Sequence, residues 1–263
     1  MSLSKRLTAI CRMVPAGCVP ADIGTDHAAV PIELLRSGKC TRALACDVLE
    51  GPLSAARENI ARAGLSDRIG VWLSDGFQAL PEGAYDAAVI CGMGGQTIRR
   101  ILEGRPADRR LLKALVLSPQ SEQEELRAYL RAEGFRIGAE DLILEEGKFY
   151  PVIRAVPAED VSEPSGILPE TDDAASDAAP DPLTQRALDR FGPCLIRGAH
   201  PLLPEYLDRR ERVLNGIAEG LEKAASGEGA GPRAAARRAE IAAELELIAL
   251  ARKLWKEHEA WKT

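Results

Sequence analysis

Between residues 18 and 156, short aliphatic runs alternate with longer segments whose apolar positions recur every three or four residues. That alternation specifies a parallel sheet with helices on both faces. The runs predict strands at Cys18–Ile23, Ala43–Val48, Ile69–Leu73, Tyr85–Cys91 and Leu112–Ser118. Helices are expected near residues 27–37, 52–63, 95–104 and 121–133, the second stopped by Gly64. After Gly134 the pattern changes: Phe135–Leu144 and Phe149–Val156 flank Glu145-Glu146-Gly147-Lys148, which predicts an antiparallel hairpin.

Beyond residue 157 the periodicity stops. Residues 158–185 are proline-rich and acidic and contain no aromatic residue, so they bury too little apolar surface to offset their ordering entropy and read as a linker. Periodicity returns in 186–263, where Leu203, Leu207, Leu214, Ile217 and Leu221, and then Ile241, Leu245, Ile248, Leu254 and Trp255, mark two amphipathic helices. Ser226-Gly227-Glu228-Gly229-Ala230-Gly231-Pro232 supplies the turn, so the segment predicts an α-helical hairpin with coiled-coil character. Three regions follow: 1–157, 158–185 and 186–263.

With 263 residues, 46% of them hydrophobic, the chain can bury one substantial core and still carry a small second module. It has no apolar run of membrane-spanning length and no leader pattern after Met1, which predicts a cytoplasmic protein without membrane association. Six cysteines, never two residues apart, read as reduced core thiols, and three scattered histidines give no metal site. The net charge of −6 disfavours a nucleic-acid partner only until it is divided by region. Residues 157–185 carry eight acids and no base, whereas 186–263 carry 14 basic and 12 acidic side chains, so either flanking module retains the means to face a phosphate backbone.

The first strand ends in Ala21-Asp22-Ile23-Gly24-Thr25-Asp26-His27-Ala28, at the edge where open parallel sheets bind ligands. Gly24 allows close backbone approach, and Asp22 suits an ammonium group or the loop backbone. Asp26 stands where a dinucleotide motif keeps glycine beside a pyrophosphate, and its charge favours a cationic sulfonium over a diphosphate. Helix capping is the plain alternative for Asp22 or Asp26. Asp47, 23 residues beyond Gly24, suits a pair of ribose hydroxyls, and Asp75-Gly76 suits an adenine amino group. An ordinary turn explains either aspartate equally. Cys91-Gly92-Met93-Gly94-Gly95 brings bare backbone to the same edge, and Ser118-Pro119-Gln120 brings a hydroxyl and an amide, with helix capping the alternative for Ser118.

These segments, with Asp47 to Pro52, Ser74-Asp75-Gly76, Arg127, Leu130, Phe149-Tyr150 and Phe191-Gly192-Pro193, resemble the bacterial TrmK family. A parallel five-stranded sheet closed by a hairpin is also the class I methyltransferase arrangement, so the fold class expected is α/β: a Rossmann-like sheet with a C-terminal helical hairpin. The resemblance implies N1-methylation of adenine 22 in tRNA, with S-adenosyl-L-methionine as cofactor and the coiled coil helping to engage tRNA. The expected cofactor pocket comprises Asp22, Gly24, Thr25, His27, Asp47, Val48, Asp75, Gly76, Gly92 and Met93. The acceptor side comprises Gly94, Ser118, Pro119 and Gln120, and Asp26 is the expected catalytic carboxylate. The chain departs from the family at Ala29, where tyrosine is usual, and at Ser118-Pro119-Gln120, where Gln-Pro-Asn is usual. The alternatives are a class I methyltransferase with another substrate and a non-catalytic interaction protein that retains the fold. The oligomeric state is left open.

Overall fold

The apolar runs form β1 (Pro20–Ile23), β2 (Ala43–Asp47), β3 (Ile69–Leu73), β4 (Ala87–Cys91) and β5 (Ala114–Ser118), and the hairpin forms β6 (Phe135–Glu145) and β7 (Lys148–Pro157). The computed structural model describes residues 3–104, 111–158, 180–225 and 232–260. One seven-stranded sheet runs in the order β3-β2-β1-β4-β5-β7-β6. The first five strands pair in parallel, and β7 pairs antiparallel with both β5 and β6. Glu146 and Gly147 both have positive φ, which gives the hairpin turn the twist its strands need.

Side chains alternate strictly across the sheet. Ala45, Val89, Val116 and Val152 face one core, shared with α1 (Lys5–Met13), α2 (Ala29–Arg36) and α3 (Glu50–Arg62). Cys46, Ile90, Leu117 and Ile153 face the other, shared with α4 (Gly95–Glu103) and α5 (Gln123–Ala132). Order reverses between β1 and β4, so the crevice that open α/β sheets use for ligands opens where these two strands end.

Helix α1 was not among the expected elements. Its nine residues carry four basic or hydroxylic side chains, yet Ser4 caps it by accepting a hydrogen bond from Leu7 N, and Ala9, Ile10 and Met13 are buried. Strands β1, β4 and β5 begin two residues later than the runs predict. Four cysteines are core thiols as expected, but Cys91 and Cys194 are partly exposed.

Arg127 on α5 and Glu140 on β6 form an ion pair of 2.7 Å with side chains 2% and 1% exposed. Removing one member of such a pair strands a charge away from water. Glu140→Ala is therefore expected to destabilise the fold by about 3–5 kcal/mol. The measurement is a urea midpoint that falls while the slope is unchanged.

The chain divides into two compact units, Met1–Glu170 and Thr171–Thr263. The second contains α6 (Pro182–Phe191), α7 (Pro193–Arg197), α8 (Leu203–Ala225) and α9 (Pro232–Ala260). Asp208 meets Arg252 while Arg210 meets Glu244, so partner numbers fall as residue numbers rise and α8 and α9 run antiparallel. Leu203, Leu207, Leu214, Ile241 and Ile248 are buried as expected, whereas Ile217 is 38% exposed. The short α6 and α7 extend the predicted hairpin. Most of the expected linker, residues 159–179, and most of the turn, residues 226–231, lie outside the described residues.

Candidate functional site

Past the strand ends, backbone hydrogen bonds tie the loops on either side of the switch point to their neighbours. Gly24 N and Thr25 N both donate to Cys46 O, at 2.9 and 2.8 Å, and Ser74 N donates to Asp47 O at 2.8 Å. Gly92 N donates to Ser118 O at 3.2 Å, and Gln120 N to Met93 O at 2.9 Å. The loops after β1, β2 and β3 thus form one half of a rim and those after β4 and β5 the other, and the halves meet where Gly24 approaches Met93.

Asp22, buried near the end of β1, accepts a hydrogen bond of 2.6 Å from Thr25 Oγ1. Burial pushes its carboxyl up to about 6; the Thr25 hydrogen bond pulls it down, and the Asp47 charge raises it further. Gly24 has φ +73°, and a Cβ there would collide with the Met93 methyl, so the β1 and β4 loops meet at a bare backbone position. Substitution at Gly24 meets both the left-handed conformation and this collision.

His27 and Ala28 follow with φ of 62° and 57°, two consecutive left-handed residues that are not glycine. Strain of this kind persists where surrounding structure imposes it, and it is concentrated at functional sites. Asn59 on α3 donates to His27 O at 3.1 Å and steadies the loop. Asp26 Oδ1 lies 3.1 Å from His27 Nε2, and its side chain is 80% exposed. Ala28 occupies the N-cap of α2 with no side-chain cap, so neither Asp22 nor Asp26 caps that helix.

Asp47 Oδ1 accepts from Leu49 N at 2.8 Å, so the turn role expected as an alternative is present. Val48 beside it is 62% exposed. Asp75 is exposed at the start of a turn, and buried Gly76 accepts through its carbonyl from Ser74 Oγ at 2.9 Å. Ser118, the last residue of β5, is buried, and α5 starts only at Gln123, so Ser118 does not cap it. Pro119 is buried and Gln120 exposed.

Glu122 was not singled out in the sequence. It takes φ 48° at the N-cap of α5, receives 2.5 Å from Ser121 Oγ, and lies 3.5 Å from Gln96 N in the first turn of α4. A Cβ at Gly95 would meet the backbone at Glu122 O, 2.6 Å away, so close approach requires glycine there, whereas at Gly94 it would meet the Ser121 hydroxyl at 2.9 Å, which can turn aside. No group of three or more His, Cys, Asp or Glu able to hold a metal occurs among the described residues. No helix among them is long and apolar enough to cross a membrane.

Buried Asp22, exposed Asp26 and bare-backbone loops at the switch point can hold a compact cationic ligand and leave a carboxylate for a second reactant. Comparison with known proteins points the same way. The chain is 34% identical over 155 residues to the tRNA (adenine(22)-N(1))-methyltransferase of Bacillus subtilis, covering 59% of this chain and 65% of that relative, just under two thirds of its length. The solved B. subtilis m1A22 tRNA methyltransferase TrmK superposes with a TM-score of 0.76 at 27% identity, covering 95% of this chain and 98% of that one. A candidate tRNA (m1A22) methyltransferase of Streptococcus pneumoniae, solved with S-adenosyl-L-methionine, gives 0.71 at 29% identity, covering 95% and 99%. One family accounts for the stretch from residue 3 to residue 153, which includes every loop of this rim, and the chain belongs to it: the methyltransferase domain family.

Proposed function

We propose that this chain methylates N1 of adenine 22 in tRNA, with S-adenosyl-L-methionine as the methyl donor. The carrying observation is the buried carboxylate of Asp22 below Gly24, with Asp26 where a diphosphate-binding loop has no place for charge. The S. pneumoniae structure solved with S-adenosyl-L-methionine and the B. subtilis relatives support the same donor and acceptor.

The residues present fit that donor. The bare backbone at Gly24, which Met93 leaves no room to substitute, suits close approach of a ligand. Asp22 suits the ammonium group; Asp47, with one oxygen engaged by Leu49, suits ribose hydroxyls; Val48 and Asp75 suit the adenine ring and its amino group. Thr25, His27, Gly76 and Gly92 shape the surrounding loops. When bound, S-adenosyl-L-methionine supplies a methyl group on a cationic sulfur.

N1 of adenine carries an in-plane lone pair, so the protein must hold that atom in line with the methyl carbon and needs no covalent intermediate. N1 would take the methyl group as the methyl–sulfur bond breaks and its electron pair stays on sulfur, and positive charge would spread through the ring. Asp26 would face and stabilise that charge and would be the group placed to receive a proton from the exocyclic amino group. Gly94, Ser118, Pro119 and Gln120 form the acceptor side. Because N1 lies on the Watson–Crick edge, the base must be unpaired or turned out before it is seated.

Residues 1–157 carry the transfer in this reading, and 186–263 contact tRNA phosphates through Arg209, Arg212, Arg237 and Arg238. Arg210 is left out of that set because Glu244 holds it through bonds of 2.8 and 3.0 Å. A protein acting on tRNA belongs in the cytoplasm. Primer extension on a tRNA transcript incubated with the protein and donor tests the reading: a stop at adenine 22 is expected, because N1-methylation blocks pairing, and read-through overturns it. Ser118-Pro119-Gln120 favours a second reading, the same transfer to a different acceptor, which a stop elsewhere or none would support.

A further inference from the structure

Beside the rim described above, the hairpin and the N-terminal helix bring together two side chains far apart in sequence. In the antiparallel pairing Leu117 lies opposite Ile153. Continuing that register past Ser118 carries β7 back to Tyr150, whose partner on β6 is Ile143. Tyr150 therefore sits at the sheet edge where Ser118-Pro119-Gln120 leaves β5 and Gly92–Gly95 leave β4. Helix α1 reaches the same edge: Lys5 N donates to Glu145 Oε1 at 2.6 Å, and Arg12 pairs with Asp141 at 2.9 Å. Between those anchors the Arg6 guanidinium lies 5.0 Å above the centroid of the Tyr150 ring. At Cys91, the last residue of β4, burial and the Asp22 charge push the thiol up, and the Arg6 charge pulls it back.

Tyr150 is half-buried, and its hydroxyl has no hydrogen-bond partner among the described residues. Fastening α1 to the hairpin does not require the ring, because the Lys5 and Arg12 contacts already do so. A neutral base held for in-line transfer needs a flat surface beside N1, and none of Gly92, Gly94, Ser118 or Gln120 supplies one. Every base has a π face that an aromatic ring can hold.

We infer that Tyr150 stacks on the adenine to be methylated and that Arg6 is a positioning residue that fixes the Tyr150 ring. This rests on the adenine reading above. With the guanidinium on one face of the ring, the base takes the other, which sets the side from which it enters.

The test is steady-state methylation of a tRNA transcript, followed by mass spectrometry of 1-methyladenosine, alongside calorimetry with S-adenosyl-L-methionine. Tyr150→Leu is expected to lower kcat/KM for tRNA by roughly 10- to 100-fold, the range of one lost base–aromatic stack. The Kd for the donor stays within about twofold, and Tyr150→Phe recovers most of the loss because the ring remains. Arg6→Gln, which loosens the ring without removing it, is expected to cost about two- to fivefold in kcat/KM. It keeps the proposal testable should the leucine variant not fold. Unchanged kcat/KM in either Tyr150→Leu or Arg6→Gln, or an equal loss of donor affinity, overturns the inference alone. A wild-type protein that leaves the transcript unmodified overturns both the inference and the adenine reading.

Discussion

Replacing Asp26 with alanine is expected to slow adenine methylation by about 10²- to 10⁴-fold at saturating donor and tRNA, the range for a lost general acid–base group. The Kd for S-adenosyl-L-methionine should change by less than about threefold, because Asp22, rather than Asp26, carries the interaction with the donor's ammonium group. The carboxylate is 80% exposed, and a charge in open water stabilises a nearby cation weakly. Seating the base removes that water, and the same charge then acts through a low dielectric on a ring that becomes cationic. The effect therefore belongs to the chemical step. Single-turnover rates with enzyme in excess separate it from tRNA binding, and Asp26→Asn should fall between the two because its amide keeps an acceptor but loses the charge. Near-normal single-turnover rates in Asp26→Ala would remove this residue from the mechanism.

The loop that carries Asp26 also shows how far the sequence alone could be read. Short, nearly continuous apolar runs placed all five parallel strands, because a strand buried on both faces has few other ways to be written. The ligand loops followed from them, since every glycine and aspartate singled out stands within a few residues of a strand end. Capping, a reasonable local alternative for Asp22, Asp26 and Ser118, is not realised at any of them. Helices α2 and α5 start two residues later than expected: Ala28 and Glu122 hold the N-cap positions in left-handed conformations that local propensity disfavours. Such backbone states are imposed by tertiary contacts, here Asn59 on the first loop and the Gly95 approach on the second.

What stayed hidden has related causes. Helix α1 is short, and its basic face obscures the four buried positions that fix it. In α6 and α7, Pro182 and Pro193 stand in the first turn, where proline starts helices, although in sequence the same residues read as loop. Arg6 and Tyr150 meet only because the sheet register and α1 converge on one edge, and no local pattern encodes a contact across 144 positions. Residues 159–179 of the acidic linker fall outside the described residues, so their reading rests on composition alone, whereas residues 182–185, expected in the linker, begin α6.

Donor binding is expected to weaken as pH falls below about 6, by up to tenfold per unit. Burial raises the Asp22 carboxyl from 3.8 to about 6, so below that value the free protein holds it protonated, and a cation that needs the carboxylate must first displace the proton. Stability runs the opposite way. A folded-state value above the unfolded one means the native state binds the proton more tightly, so this group's contribution is fully present below about 3.8 and is lost as pH rises through about 6. At neutral pH Asp22 is a buried charge that costs the empty protein stability. Asp22→Asn, which keeps the acceptor for Thr25, is therefore expected to raise the apo melting temperature at pH 7. The same change should weaken donor binding by roughly 10- to 100-fold and flatten its pH profile between 5 and 7, as expected for losing a charged hydrogen bond. Melting curves with and without donor across that pH range read both effects at once. A variant less stable than wild type, or one whose donor affinity still falls with acid, would mean that Asp22 supports the loop and does not hold the ligand.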